Sequence, residues 1–135
     1  MSVLVDTSAL IALLDEDDPG HAACRQAWRS GVTDAIGLLT TEYVVVEAVS
    51  VAQRRWGLDA VKTLVDEFFP LLHIEWVTSD DHAVGLTSLL LSGRRRLSLV
   101  DCVGFAIMRR LRVTEYLSLD PHFAEQGFIA YTGRS

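Results

Sequence analysis

Apolar and polar positions along this chain fall into short blocks whose period changes repeatedly between two and about 3.6, the periods of strand and helix. Residues 2–5 (Ser-Val-Leu-Val) form an apolar run that reads as a buried strand. A helical pattern follows over 7–14, then an acidic turn, Asp15-Glu-Asp-Asp-Pro-Gly20. Apolar spacing predicts a second helix over 18–29, with Pro19 tolerated in its first turn. Residues 36–39 are the next strand. Thr40 and Thr41 offer an N-cap to a helix that continues to residue 55 and is ended by Trp56-Gly57. Residues 58–69 are helical in period and stop at Pro70, which predicts an antiparallel helix pair across Gly57. Alternation over 73–77 predicts a third strand. Thr78-Ser-Asp-Asp81 has the composition of a helix start, and that helix should close near Gly93. A helix over 98–111, a strand over 115–119, a helical turn over 122–126 and a short strand over 128–131 complete the pattern.

Short strands alternating with helices need crossover connections, which make neighbouring strands parallel and cover both sheet faces. The expected fold is therefore α/β, a three-layer α/β/α arrangement around a central, mostly parallel sheet of four to five strands. The chain has 135 residues, half of them hydrophobic, enough for one full core. No repeat, low-complexity tract or linker composition interrupts it, so a single domain over 1–135 is expected. The N-terminal apolar run lacks a basic leader and meets Asp6 within a few residues, and no apolar run is long enough to span a bilayer. The expectation is a soluble, cytoplasmic protein without membrane contact. Cys24 and Cys102 stand 78 positions apart in helical patterns and read as small core residues in a reducing compartment.

Acids appear where this pattern should bury them. Asp6 closes the first strand, Glu47 lies inside Tyr43-Val-Val-Val-Glu-Ala-Val-Ser50, Asp101 lies in Leu97-Ser-Leu-Val-Asp101, and Asp120 closes Tyr116-Leu-Ser-Leu-Asp120. A buried carboxylate is costly unless it is paired or coordinates a cation. Three of the four have a capping explanation. Asp6 and Asp120 precede helical segments, and Ser98-Leu-Val-Asp101 has the spacing of a reciprocal capping box. Glu47 has none, because Tyr43, Val44 and Val51 share its helical face and direct it inward. Glu42 sits five positions earlier, about 140° around the helix, in a first turn where a negative charge complements the dipole and stays solvated. Asp6 and Asp120 both belong to the C-terminal edge of the sheet, where parallel α/β proteins place their functional groups. Hard divalent cations such as Mg²⁺ take oxygen ligands and keep several waters, and they can activate water against a phosphodiester. Four acids around an open site suit that chemistry.

The formal charge of −6 opposes a nucleic-acid partner until such ions are considered. Two divalent cations on the four acids would offset four of those six charges. Eleven of the twelve basic residues are Arg, the better bidentate phosphate ligand, and Lys62 is the only Lys.

Asp6-Thr-Ser-Ala-Leu10, the helix segment Thr41-Glu-Tyr-Val-Val-Val-Glu47, Leu97-Ser-Leu-Val-Asp-Cys102, and Leu119-Asp-Pro-His-Phe123 with Gly127-Phe128 together resemble the PIN-domain family. Within it, size and wording are similar to VapC-type toxin ribonucleases of type II toxin–antitoxin modules. The resemblance covers almost the whole chain. It implies a Mg²⁺- or Mn²⁺-dependent endoribonuclease that hydrolyses RNA, forms a homodimer and is silenced by a VapB-type antitoxin. By position it makes Asp6 and Asp101 the principal metal ligands, Glu47 a third acid, Asp120 the support of a second ion and Ser8 a hydroxyl behind the ligands. Asp120-Pro121 departs from the basic or polar residue often seen after that acid.

Arg94-Arg-Arg96 lies just before Asp101 and could guide phosphate, although charge runs are usually solvated loops. Trp56, Phe68 and Phe69 could leave a groove for an antitoxin helix or simply pack in the core. His122 reads as positional, and Asp15–Asp18 as a polar turn. Three other functions compete: a phosphoryl-accepting receiver or phosphatase-type domain, which wants a lysine that Lys62 in mid-helix cannot supply; a non-catalytic RNA- or partner-binding scaffold; and a free-standing RNase without an antitoxin.

Overall fold

The computed structural model describes residues 1–133. Its strands are β1 (Ser2–Val5), β2 (Gly37–Thr41), β3 (His73–Glu75), β4 (Glu115–Leu117) and β5 (Ile129–Ala130), joined in the order β3-β2-β1-β4-β5. Every pairing is parallel, so the sheet is more uniform than expected from sequence. The helices are α1 (Thr7–Leu14), α2 (His21–Thr33), α3 (Glu42–Trp56), α4 (Leu58–Thr63), α5 (Ser79–Ser92), α6 (Leu99–Leu111) and α7 (His122–Glu125).

Period-two alternation in the strands divides the core. Val3 and Val5 of β1, Leu38 of β2 and Leu117 of β4 join a cluster with α1, α2 and α3. Their strand neighbours Leu4, Leu39 and Tyr116 face the other way, onto Cys102, Phe105 and Met108 of α6 and Phe123 of α7. The three layers are thus α1–α4, the sheet, and α5–α7. Thr40, fully buried at the end of β2, donates to the Val5 carbonyl at 2.6 Å and locks the sheet edge at the point where Asp6 emerges. Gly85 lets α5 and α6 approach closely, since a Cβ there would stand 2.6 Å from a Val103 methyl and 3.0 Å from the Val103 nitrogen.

Two helices depart from the sequence expectation. α2 starts at His21 rather than 18, because Asp18 accepts the Gly20 N–H at 2.7 Å and holds Pro19-Gly20 in a turn. It runs on through Gly31, whose missing side chain admits Leu38 of β2. The stretch read as one helix over 58–69 is instead α4, a π-helical turn at Leu64–Phe68, and a 3₁₀ turn at Phe69–Leu71 that carries Pro70. The wide turn keeps Leu64 fully buried, and Pro70 is accommodated near the start of a tight turn rather than ending the element. Phe68 meets Trp28 edge-on at 5.4 Å and, with Phe69, packs against the core, whereas Trp56 stays 40% exposed. No helix among the described residues is long and apolar enough to cross a membrane.

Candidate active site

Asp6 leaves β1 with its backbone N–H bonded to the Leu117 carbonyl of β4 at 3.0 Å. Its extended backbone suits the N-cap of α1, but its side chain makes no capping hydrogen bond. Capping does not account for this acid. Its Oδ2 accepts instead from Ser118 Oγ at 3.0 Å and Ser8 Oγ at 3.3 Å. Ser8 Oγ and Ser118 Oγ are 2.9 Å apart and accept the N–H groups of Leu119 and Asp120, so both hydroxyls tie α1 to the turn after β4. Ser118 was not picked out from sequence, although a hydroxyl two residues before Asp120 is a turn-forming signal.

Asp6 is only 4% exposed. Burial, joined by the nearby charges of Asp101 and Glu47, pushes its carboxyl from 3.8 up to about 7, against the opposing hydrogen bonds of Ser118 and the Thr7 backbone. Acids from two other elements therefore act on Asp6. Asp6 comes from the end of β1, Glu47 from α3 on one face of the sheet, and Asp101 from α6 on the other. Glu47 is half-buried, beside buried Val44 on its helix. Glu42 differs in place, as its helical phase requires, and it is half-buried rather than fully solvated. Both its carboxylate oxygens accept the Val77 N–H, at 2.8 and 3.1 Å, fastening α3 to the chain beyond β3.

Asp101 does form the capping box expected of Ser98-Leu-Val-Asp, accepting the Ser98 N–H at Oδ2 while its own N–H donates to Ser98 Oγ at 3.0 Å. The box engages one oxygen only. Asp101 is 6% exposed, and burial followed by the charge of Asp120 raises its carboxyl above the ordinary range. Asp101, Asp120 and His122 each offer a ligand atom within 4.8 Å of the others. Among the described residues no basic side chain forms an ion pair with Asp6, Glu47 or Asp101. An oxygen-rich donor set, buried and without its own cation, fits a hard divalent ion.

His122 is more engaged than its positional reading implied. It is buried, its Nε2 lies 3.3 Å from Asp120 Oδ1, and its Nδ1 lies 3.0 Å from Glu125 Oε1. Arg94 is held by the same group, pairing with Glu125 at 3.3 Å and reaching within 3.3 Å of His122 Nδ1. Its side chain is nonetheless 43% exposed. Arg95 and Arg96 remain exposed. Away from the site, Asp15 pairs with Arg55 and the exposed Lys62 pairs with Asp66, so neither the acidic turn nor the sole lysine joins this chemistry.

The PIN domain profile matches residues 3–129. Among curated proteins, the 23S rRNA-specific endonuclease VapC20 of Mycobacterium tuberculosis is 27% identical over 128 residues, spanning 94% of this chain and 95% of its own. The crystal structure of that VapC20, described as a sarcin-ricin loop cleaving toxin, superposes with a TM-score of 0.82 at 26% identity, covering 94% of this chain and 96% of the other. VapBC2 from Rickettsia felis, crystallised on a DNA fragment from its promoter, gives a TM-score of 0.72 at 10% identity over 96% of this chain and 97% of the other, a likeness of fold alone. With a profile match across nearly the whole described chain, this protein belongs to the PIN domain family.

Proposed function

We propose that this chain is a metal-dependent endoribonuclease of the VapC type, the toxin of a type II toxin–antitoxin module. The observation that carries the reading is Asp6, buried with Asp101 and Glu47 acting on it, while no basic side chain among the described residues forms an ion pair with any of the three. Asp6 and Asp101 are the principal ligands for Mg²⁺ or Mn²⁺, Glu47 adds a third acid, and Asp120 supports a second position. Once bound, the cation supplies a Lewis acid that activates water and stabilises developing charge on the phosphate.

The chain's own residues do the positioning. Ser8 and Ser118 fix one oxygen of Asp6, and the Ser98 box fixes one oxygen of Asp101, so both carboxylates are preorganised before substrate arrives. Water attacks the phosphorus in line, the bond to the 3′ oxygen breaks, and the RNA is cut internally. The exposed Arg95 and Arg96 beside α6 supply positive charge for the backbone of the RNA. A VapB-type antitoxin and a homodimer belong to the same proposal. Val84, Leu90 and Leu91 of α5 are exposed and supply the apolar surface such interfaces need. The compartment proposed is the cytoplasm.

The direct test is cleavage by the purified protein of structured RNA, beginning with a sarcin-ricin loop hairpin because that is the element named for the similar VapC20. Wild type should cut in Mn²⁺ and stop in EDTA, while Asp6→Asn and Asp101→Asn should be inactive. Equal cleavage by all three proteins would sink the assignment.

A further inference from the structure

We propose that His122 is a metal ligand, making the second cation position, between Asp101 and Asp120, a mixed nitrogen and oxygen site that favours a first-row transition ion over Mg²⁺. The inference rests on the metal-dependent reading above and adds a donor to it. His122 is 8% exposed at the start of α7, yet both its ring nitrogens face charged groups. Nδ1 faces Glu125 Oε1 at 3.0 Å, and Glu125 is in turn held by both terminal nitrogens of Arg94, Nη1 at 3.3 Å and Nη2 at 3.4 Å. Arg94 Nη2 also lies 3.3 Å from Nδ1, a longer contact than that from Glu125. Of the two partners of Nδ1, the Glu125 carboxylate is the nearer. That is the arrangement by which ligating histidines are oriented, the second nitrogen being tied to a carboxylate.

The other ring nitrogen, Nε2, faces Asp120 Oδ1 at 3.3 Å, and that oxygen also accepts the His122 backbone N–H at 3.2 Å. Adjacent ligands of an octahedral ion with bonds near 2.1 Å are about 3 Å apart, close to the observed spacing. Asp101 completes the set: it is buried, its Oδ2 is taken by Ser98, and no protein hydrogen bond engages Oδ1 among the described residues. Imidazole is a softer donor than carboxylate or water, so its presence discriminates against Mg²⁺.

The experiment uses the full chain, loaded with Mn²⁺ and then separately with Mg²⁺. Pulsed paramagnetic resonance on the Mn²⁺ form should show nitrogen modulation from a directly bound imidazole, and the signal should vanish in His122→Gln. By calorimetry, His122→Gln should weaken Mn²⁺ binding at the second position at least tenfold and Mg²⁺ binding by less than threefold. Glu125→Gln should give an intermediate loss of Mn²⁺ affinity. If Mn²⁺ binds wild type at two positions with no nitrogen modulation, the imidazole bridges Asp120 and Glu125 as a protonated cation and this inference fails, while the nuclease reading stands. If wild type binds no divalent ion, both fail. The wild-type spectrum decides the matter even where the buried histidine does not tolerate substitution.

Discussion

Two helices on the same face of the sheet begin with the same device and use it for opposite ends. At the start of α5, Thr78 and Asp81 form a reciprocal capping box, and at the start of α6, Ser98 and Asp101 form another. Both acids are equally hidden, at 4% and 6% exposure. Burial works against the charge of Asp81, but Arg110 bonds both its oxygens, at 3.0 and 2.9 Å, and with Thr78 it holds that carboxyl below its ordinary range. Among the described residues Asp101 forms no ion pair. Burial and the charge of Asp120 push it the other way. Neither burial nor the capping motif marks a functional acid. What separates the two is an ion pair: Arg110 gives Asp81 one, and among the described residues Asp101, Asp6 and Glu47 form none.

The largest expected effect follows from removing the unpaired acid. Asp101→Asn should lower RNA cleavage by about 10³-fold, on the order of 4 kcal/mol of transition-state stabilisation. Asp81→Asn should leave cleavage by the folded protein within a few-fold of wild type. Rates measured with both variants below their melting temperatures test the contrast, and comparable losses would erase it.

Next in size is a pH effect on the metal-free protein. Above pH 3.8 an unfolded Asp6 gives up its proton, whereas the folded one keeps it until about 7. The folded state binds the extra proton in that window, so stability falls as pH rises through it and the loss is complete above it. A shift of this size corresponds to roughly 4 kcal/mol. Denaturant midpoints should decline between about pH 4 and 7 in EDTA, and Mn²⁺ should restore them at neutral pH through binding to the folded state. Asp6→Asn should flatten the EDTA profile, and an unchanged slope in that variant would assign the effect to other groups. Asp81 contributes with the opposite sign, since its stabilising charge is lost only on acidification through its lowered folded value.

Stability of the two acid variants should also diverge without metal. Asp81→Asn removes the partner of Arg110 and should destabilise by about 2 kcal/mol, a figure below that of a fully buried pair because the guanidinium is partly exposed. Asp101→Asn removes a buried charge that forms no ion pair among the described residues and should raise the melting temperature in EDTA. A fall in both would show that the box at α6 is as structural as the one at α5.

The sequence distinguishes these two boxes poorly, and the reason is distance along the chain. Ser98-Leu-Val-Asp and Thr78-Ser-Asp-Asp are equivalent local signals, while the residue that tells them apart, Arg110, lies 29 positions beyond Asp81. The same limit hid the surroundings of His122, because Arg94 is 28 positions from it, and it hid the Ser8–Ser118 contact, which spans 110. Strand alternation and the placement of Asp6 after β1 were legible because both depend on near neighbours. So was the difference between Glu47 and Glu42, a matter of helical phase, although phase could not reveal that Glu42 is bonded to Val77. The π-helical turn at Leu64–Phe68 was missed for a related reason: its geometry depends on burying Leu64 against the core, and apolar spacing alone favours an ordinary helix.

The smallest effects come from the caps themselves. Thr78→Ala and Ser98→Ala each remove a side chain that accepts a backbone N–H at 3.0 Å, and each should cost about 1 kcal/mol of stability. Their consequences for catalysis should differ. At α5 the loss is only a frayed helix start, because Arg110 still holds Asp81. At α6 the first turn that fixes the Asp101 backbone loosens, with no ion pair among the described residues to keep the carboxylate in place. Ser98→Ala should therefore weaken Mn²⁺ binding and slow cleavage several-fold at a temperature where both variants are folded, while Thr78→Ala changes neither. Matched melting shifts with unmatched metal affinities would show that one motif serves stability at one helix and positions a ligand at the next.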